Sequence, residues 1–222
     1  WLTFFATIYL AGHLEKAGYK VYVGREVLGD EPLMDPPDPE QIESYERLAF
    51  KFARESGIKD GMTWLQRMEH KTGLIAVMDT GREGPVKAYR FDMDALAIQE
   101  SHDEMRNPVQ EKFISQRPGV SHACGHDGHM ALGLTLAEAL AEEKESLKGK
   151  YIFIFQPAEE GVRGAVAFCH QWKYGSIDQL YCCHIGYAPE HAFVAGAKGF
   201  LATTKFVVRF YGKSAHAGLA PE

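Results

Sequence analysis

Cysteine is scarce in this chain of 222 residues, which contains four: Cys124, Cys169, Cys182 and Cys183. Four cysteines are too few to staple a chain of this length, so a disulfide scaffold of the kind found in small secreted domains is excluded. Cys182 and Cys183 are adjacent, and in a strand their side chains would point to opposite faces, so they cannot both line one site. We expect a reducing, cytoplasmic location.

Clustered basic charge and long apolar runs are also missing from the sequence. The formal net charge is -6, and the lysines and arginines are scattered along the chain. A nucleic acid or an anionic membrane would require a clustered basic surface, so neither is expected as a partner. The apolar run at residues 1–10 has no basic leader and soon meets His13, Glu15 and Lys16, which favours a buried helix over an anchor. We therefore expect a small-molecule substrate.

What the sequence does contain is enough apolar material for a sizeable core, since 45% of its residues are hydrophobic. Predicted strands and helices follow one another along the chain. The strands are expected at 19–23, 74–78, 86–91, 151–155 and 180–185, and the helices at 1–17, 40–56, 129–147 and 161–172. This alternation predicts an α/β fold with a mainly parallel sheet flanked by helices. Residues 79–85 are expected to form a turn that joins the second strand directly to the third.

Polar residues follow three of the predicted strands, at Asp92, at 156–160 and at His184. Because the carboxyl ends of parallel strands meet along one edge of a sheet, these residues are expected to converge on one crevice. Residues 121–129 add three histidines, a cysteine and an aspartate just before a predicted helix. Such a composition is unusual for a solvated loop.

Thiolate, imidazole and carboxylate together form a mixed ligand set that suits zinc or manganese, and Cys124, His126, Glu160 and His184 supply all three. Each residue alone is weak support, since a lone Cys-Gly-His is usually chance and a lone histidine after a strand is usually structural. The combination predicts a metal site. Burying Glu159 beside Glu160 after an apolar strand would be costly without a cation, and the pair could divide into one ligand and one proton acceptor.

Three motifs carry a specific resemblance: Phe-Asp-Met-Asp-Ala-Leu at 91–96, His-Ala-Cys-Gly-His-Asp-Gly-His at 122–129 and Phe-Gln-Pro-Ala-Glu-Glu-Gly at 155–161. They resemble the M20 peptidase family, in the amidohydrolase branch that includes indole-acetyl-amino-acid, hippurate and aminobenzoyl-glutamate hydrolases. The similarity runs through essentially the whole chain. It implies a zinc-peptidase-like catalytic domain at 1–198, truncated at its amino end, and the beginning of an inserted α+β lid or dimerisation domain at 199–222.

The resemblance also implies roles for individual residues. Cys124 would bridge two divalent metal ions, manganese or zinc, with His126, Glu160 and His184 as terminal ligands. Glu159 would be the general base. The family's last metal ligand is a histidine near the carboxyl end of the full catalytic domain, and nothing in residues 1–222 matches it.

Further positions match the family's motifs with less defined roles. Asp92 would belong to the catalytic site beside the metals. His216, in Gly-Lys-Ser-Ala-His-Ala-Gly at 212–218, would polarise the scissile carbonyl, a task that in the family often falls to the partner protomer. Asp127 and His129 would either orient ligands or cap and pack the helix. The assignment of His122 is more open still.

The implied reaction is hydrolysis of the amide between an aromatic acyl group and an amino acid, and the small-molecule N-acyl amino acid expected as substrate is p-aminobenzoyl-glutamate. The implied assembly is a homodimer or a heteromer with a related subunit. Three alternatives remain: hydrolysis of other N-acyl amino acids of the hippurate or indole-acetyl type, a metal-binding but inactive subunit, and a structural zinc site in a binding protein. The presence of Glu159 argues against the second alternative. Structural zinc usually draws on paired cysteines, which argues against the third.

Overall fold

The computed structural model of the chain describes residues 1–186, 189, 191–196, 198–199, 206, 208–209 and 211–212. Its elements in chain order are α1 (Phe4–Lys16), β1 (Lys20–Val23), α2 (Arg25–Leu28), α3 (Pro39–Glu55), α4 (Gly61–Met68), β2 (Leu74–Asp79), β3 (Val86–Asp92), α5 (Asn107–Gln110), α6 (His126–Glu142), β4 (Lys150–Gln156), α7 (Gly164–His170) and β5 (Gln179–Cys182). The chain divides into two compact units, Trp1–Tyr187 and Ala188–Glu222. All twelve elements lie in the first unit. The domain bounds expected from the sequence, 1–198 and 199–222, stay a prediction.

The five strands form one mixed sheet in the order β1-β2-β4-β3-β5. β3 runs parallel to both β4 and β5, whereas β2 runs antiparallel to both β1 and β4. The expected α/β architecture with flanking helices is present. The parallel character is confined to the β4-β3-β5 half, because β1 and β2 form an antiparallel extension of it.

Residues 80–85 join β2 to β3, as expected from the sequence, but the two strands do not pair with each other, because β4 lies between them. Residues 80–85 instead pass the start of β4, where the Thr80 amide donates to the Gly149 carbonyl at 3.1 Å and Arg82 Nε donates to the Leu147 carbonyl at 2.8 Å. β4 is apolar from Tyr151 to Phe155 and buried from Tyr151 to Gln156. A strand with two apolar faces is most stable at the centre of a sheet, covered on both sides.

The core has two parts, one on each face of the sheet. Phe153 and Phe155 of β4 belong to the larger part, which packs against α1, α3, α4 and α6, while Ile152 and Ile154 belong to the part under α2 and α7. This division follows from the alternation of side chains along a strand. Among the described residues, no helix is both long enough and apolar enough to cross a membrane.

Helix α6 approaches the sheet closely at Gly133. A Cβ atom added there would lie 2.7 Å from Phe91 Cδ2 and 2.9 Å from the nearest ring atoms of Phe155. These rings belong to β3 and β4, so the glycine lets the helix lie directly over the strand ends. The amino end of α6, which starts at His126, is thereby held at the edge that carries Asp92.

We expect Gly133→Ala to lower the free energy of unfolding by about 1–3 kcal/mol, the usual cost of overpacking a core. Alanine is the better helix former by about 1 kcal/mol, so a loss would show that packing outweighs helix propensity. Urea unfolding of both proteins measures the difference. Gly12→Ala is the matched control, because a Cβ atom at Gly12 in α1 would make an ordinary 3.7 Å contact with Ile58. A Gly133→Ala protein as stable as the wild type would contradict the close approach.

Candidate metal centre

The carboxyl ends of the three parallel strands meet at one edge of the sheet, as expected from the sequence. Asp92 ends β3 and pairs in register with Gln156, which ends β4. On the other side of β3, Arg90 pairs with Cys182, the last residue of β5, and His184 follows two residues later. Segments far apart in the sequence thus reach one place.

The first turn of α6 supplies the histidines of the site. Gly125 precedes the helix with a φ of 86°, in the left-handed region that glycine adopts without strain. His126 and His129 follow, both fully buried at 0% exposure. Cys124 lies just before this turn and is partly buried. The glycine therefore lets the chain turn sharply between the cysteine and the two histidines.

His126 is the centre of the site, since it belongs to each of three groups of donor atoms in which all atoms lie within 4.8 Å of one another. The groups are Cys124, His126 and His184; His126, Glu159 and Glu160; and Asp92, His126 and His129. Individual distances are short: 3.5 Å from Cys124 Sγ to His184 Nε2, and 3.8 and 3.9 Å from His126 Nε2 to Glu159 Oε2 and Glu160 Oε1. All four predicted ligands and the predicted base are thus brought together.

Several donor atoms at this centre are buried without a hydrogen-bond partner in the described part of the chain. They are both ring nitrogens of His126 and Oε1 of Glu160. Leaving a buried polar atom unsatisfied costs about 1–3 kcal/mol, so such atoms are rare in folded proteins. A divalent cation would satisfy nitrogen and carboxylate oxygen together. The residues therefore fit a metal ion.

The electrostatics of the centre also fit a cation. Burial raises the pKa of Glu159, and the charges of Asp92 and Glu160 raise it further. Burial would lower the pKa of His126, but its contact with Asp94 and the charges of Asp92 and Glu159 outweigh burial and raise that pKa. Clustered carboxylates repel one another, and bound cations would offset this repulsion.

The pKa of the Cys124 thiol also fits a metal site. Burial, followed by the negative charge of Glu160, raises this pKa to about 11. Such a thiol keeps its proton at neutral pH, whereas coordination to a metal removes that proton outright. Cys124 is therefore a poor free nucleophile and a suitable metal ligand.

Asp94 also belongs to the site, although no sequence pattern assigned it a role. Its Oδ1 accepts a hydrogen bond from the Glu159 amide and its Oδ2 accepts one from the Glu160 amide, both at 2.9 Å, and Oδ1 lies 3.6 Å from His126 Nδ1. Ala158, with a φ of 54°, turns the backbone so that the two amides follow one another. Burial acts to raise the pKa of Asp94, but the contact with His126 and the two amides outweigh it and lower that pKa. One buried carboxylate thus holds the predicted base and a predicted ligand.

We expect Asp94→Asn to lower the free energy of unfolding of the metal-free protein by about 1–3 kcal/mol. An asparagine presents an N–H group where one of the two backbone amides needs an acceptor, and that amide is left unsatisfied. Urea unfolding with a chelator present measures the loss. Asp79→Asn is the matched control, because Asp79 Oδ1 also accepts a backbone hydrogen bond, from Gly81, but at an exposed position. Equal stability of Asp94→Asn and wild type would show that the hydrogen bonds from the Glu159 and Glu160 amides to Asp94 do not stabilise the fold.

The remaining predicted residues differ in their placement. Asp92 is buried beside the centre, with Oδ1 3.7 Å from His126 Nε2 and also in contact with His129. Asp127 is exposed and accepts a hydrogen bond from the neighbouring Gly128 amide, which favours helix capping over ligand orientation. His122 is partly buried, and His216 lies outside the described residues.

The sequence of residues 88–212, more than half of the chain, matches the peptidase family M20/M25/M40. The chain belongs to this family. This M20 chain is 41% identical to a subunit of p-aminobenzoyl-glutamate hydrolase from Escherichia coli strain K12 and 42% identical to indole-3-acetyl-aspartic acid hydrolase of Enterobacter agglomerans. Each alignment covers 100% of the chain and 50% of the relative, so the chain spans about half the length of these curated relatives.

Two solved structures resemble the fold of this M20 chain. The aminobenzoyl-glutamate utilization protein from Klebsiella pneumoniae matches with a TM-score of 0.61 and 35% identity, over 84% of this chain and 39% of that one. A dinuclear metal-binding peptidase of the M20 family from Bacillus subtilis matches with a TM-score of 0.52 and 28% identity, over 80% of this chain and 36% of that one. The family and the fold class expected from the motifs are both confirmed.

Proposed function

We propose that this chain is the metal-binding part of an amidohydrolase that cleaves the amide between an aromatic acyl group and an amino acid. The observation that carries the proposal is the environment of His126. Its ring nitrogens have no hydrogen-bond partner among the described residues, and they lie among a thiol, a second imidazole and two carboxylates. The names of the two curated relatives support the substrate class, since one names p-aminobenzoyl-glutamate and the other indole-3-acetyl-aspartic acid. Each name joins an aromatic acyl group to an acidic amino acid.

In this proposal the site holds two divalent ions, zinc or manganese, between Cys124, His126, Glu160 and His184. The Bacillus subtilis relative, which is described as a dinuclear metal-binding peptidase, supports the number. When bound, such ions supply Lewis-acid chemistry, which polarises a carbonyl group and makes water more acidic. Cys124 lies beside both His184 and Glu160, which suits the bridging role.

In this proposal one of the two adjacent glutamates binds metal and the other is the general base. Glu160 is the ligand, because its Oε1 is buried and unpartnered among the described residues. Glu159 is the general base, because 37% of its side chain stays exposed and a water molecule can reach it. Its pKa, raised by burial and by Asp92, suits a carboxylate that takes a proton from the attacking water and returns it to the leaving amine. Bound cations would act on this pKa in the opposite direction.

The wider roles expected from the sequence belong to the same proposal. His216 polarises the scissile carbonyl, and residues 199–222 begin a lid or dimerisation domain after the catalytic domain at 1–198. The protein acts as a homodimer or with a related subunit, in line with the names of the Escherichia coli and Haemophilus influenzae relatives, both of which refer to one subunit of p-aminobenzoyl-glutamate hydrolase. A cytoplasmic location agrees with the four cysteines, none of which is disulfide-bonded.

A comparison of four substrates tests the proposal: p-aminobenzoyl-glutamate, indole-3-acetyl-aspartate, hippurate and N-acetyl-alanine, assayed with full-length protein of known metal content. We expect the highest kcat/KM for p-aminobenzoyl-glutamate, and loss of all turnover after metal removal. Preference for indole-3-acetyl-aspartate or hippurate would show that the enzyme acts on another N-acyl amino acid of the aromatic class and not on p-aminobenzoyl-glutamate. Preference for N-acetyl-alanine would overturn the aromatic class, and absence of any metal-dependent turnover would favour an inactive metal-binding subunit.

A further inference from the structure

Ile185, whose side chain is half exposed, connects two histidines of the centre through its backbone. Its amide donates a hydrogen bond to His129 Nε2 at 2.8 Å, and its carbonyl lies 2.7 Å from His184 Nδ1. The two histidines are far apart in the sequence, yet their rings meet edge to face with centroids 4.6 Å apart. The backbone of one residue therefore joins a buried helix residue to a predicted metal ligand.

These contacts fix the tautomer of both rings. A backbone amide can only donate, so His129 Nε2 accepts and the ring proton sits on Nδ1, which faces Asp92 Oδ1. A carbonyl can only accept, so His184 Nδ1 carries its proton and Nε2 has the lone pair. That Nε2 atom lies 3.5 Å from Cys124 Sγ. The contacts thus present the ligating nitrogen of His184 to the centre.

The far end of this chain of contacts is anchored in the sheet. Arg90 donates from one guanidinium nitrogen to Asp92 Oδ2 at 2.8 Å and from Nε to Gln156 Oε1 at 3.0 Å. Asp92 and His129 are 1% and 0% exposed, so neither can turn toward solvent without unpacking α6. By contrast, the pairing of β3 with β5 stops at Cys182, two residues before His184.

We propose that His129 is a positioning residue for His184. Asp92 holds its Nδ1–H tautomer, its Nε2 receives the Ile185 amide, and the Ile185 carbonyl then sets the rotation of the His184 ring. The segment after β5 gains in this way a fixed backbone position that the sheet no longer provides. The inference rests on the metal-binding role proposed for His184, while the contact between His129 and Ile185 stands apart from that role.

Two substitutions separate the functions of the two ring nitrogens. In His129→Gln the side-chain oxygen occupies the place of Nε2 and can still accept from Ile185, whereas in His129→Asn the amide nitrogen replaces Nδ1 and only the bond to Asp92 survives. We expect His129→Asn to weaken Zn²⁺ binding by about 10- to 100-fold, the usual effect of losing a group that orients a ligand. His129→Gln should bind Zn²⁺ with an affinity close to that of the wild type. Competition with a chromophoric chelator measures affinity in the full-length protein. His70→Gln is the control, at a histidine with 69% of its side chain exposed.

Hydrogen exchange of the Ile185 amide in metal-free protein is the second readout. We expect slow exchange in the wild type and in His129→Gln, and fast exchange in His129→Asn. Wild-type Zn²⁺ affinity in His129→Asn would overturn the inference, and so would equal losses of affinity in the Asn and Gln variants. If wild-type protein binds no Zn²⁺, the proposed function fails, and equal Ile185 exchange in all three proteins would show that the positioning contact fails as well.

Discussion

Glu159→Gln is expected to lower kcat by about 10²- to 10⁴-fold, the usual contribution of a general base, while metal content stays at the wild-type level. Glutamine keeps the shape of the side chain but cannot accept the proton of the attacking water. Glu159 is also the more exposed of the two adjacent glutamates, with 37% of its side chain exposed against 27% for Glu160. The loss should therefore fall on turnover and leave metal binding intact.

Steady-state kinetics and elemental analysis of one preparation measure both quantities. Glu145→Gln is the control, since 91% of the Glu145 side chain is exposed. An active Glu159→Gln enzyme would remove the proposed base. Loss of metal together with activity would instead make Glu159 a ligand and reverse the division between the two glutamates.

Cys124→Ala is expected to lower metal affinity strongly, because a direct ligand is removed. Loss of a group that only orients a ligand lowers affinity by about 10- to 100-fold, and this substitution should exceed that. Metal analysis after dialysis against a weak chelator should show less metal than in wild type. A thiol whose pKa is raised to about 11 must also release its proton when a metal binds. Calorimetry in buffers of different ionisation enthalpy should therefore find fewer protons released on metal binding by the variant than by wild type.

The matched control is Cys169→Ala, at an exposed cysteine in α7. It should retain full metal content. Wild-type metal content in Cys124→Ala would contradict a bridging thiolate. The metal would then be assigned to one of the other donor groups around His126, either the group with Asp92 and His129 or the group with the two glutamates.

The sequence could predict that the site residues lie close together, because most of them follow the carboxyl ends of strands. The mixed apolar and polar pattern of β3 and the apolar run of β4 locate the ends of these strands. Parallel strands then bring Asp92 and Glu160 to one edge whatever their separation in sequence. The sequence also predicted a helix after the histidine-rich segment, from residue 129, although α6 starts at His126 and includes two of the three histidines. Ligands from distant segments could therefore be expected to meet.

Strand order and backbone contacts could not be predicted in the same way. Residues 79–85 resemble a hairpin turn, but local turn chemistry does not reveal that a later strand enters between β2 and β3. The role of Asp94 depends on two amides that no side-chain pattern displays. Alternation along an extended chain did offer one signal, because Asp92 and Asp94 flank the buried Met93 and so share a side.

The central position of β4 has a consequence for how the chain acquires its structure. β2 ends at Asp79 and β3 at Asp92, yet the strand that joins them begins only at Lys150. During synthesis on the ribosome, the edges of β2 and β3 that pair with β4 have no partner until Gln156 has emerged. Such edges are sites of wrong association, and pairing over long separations slows folding. The glutamates that follow β4 can therefore take their places in the centre only once β4 has joined the antiparallel half of the sheet to the parallel half.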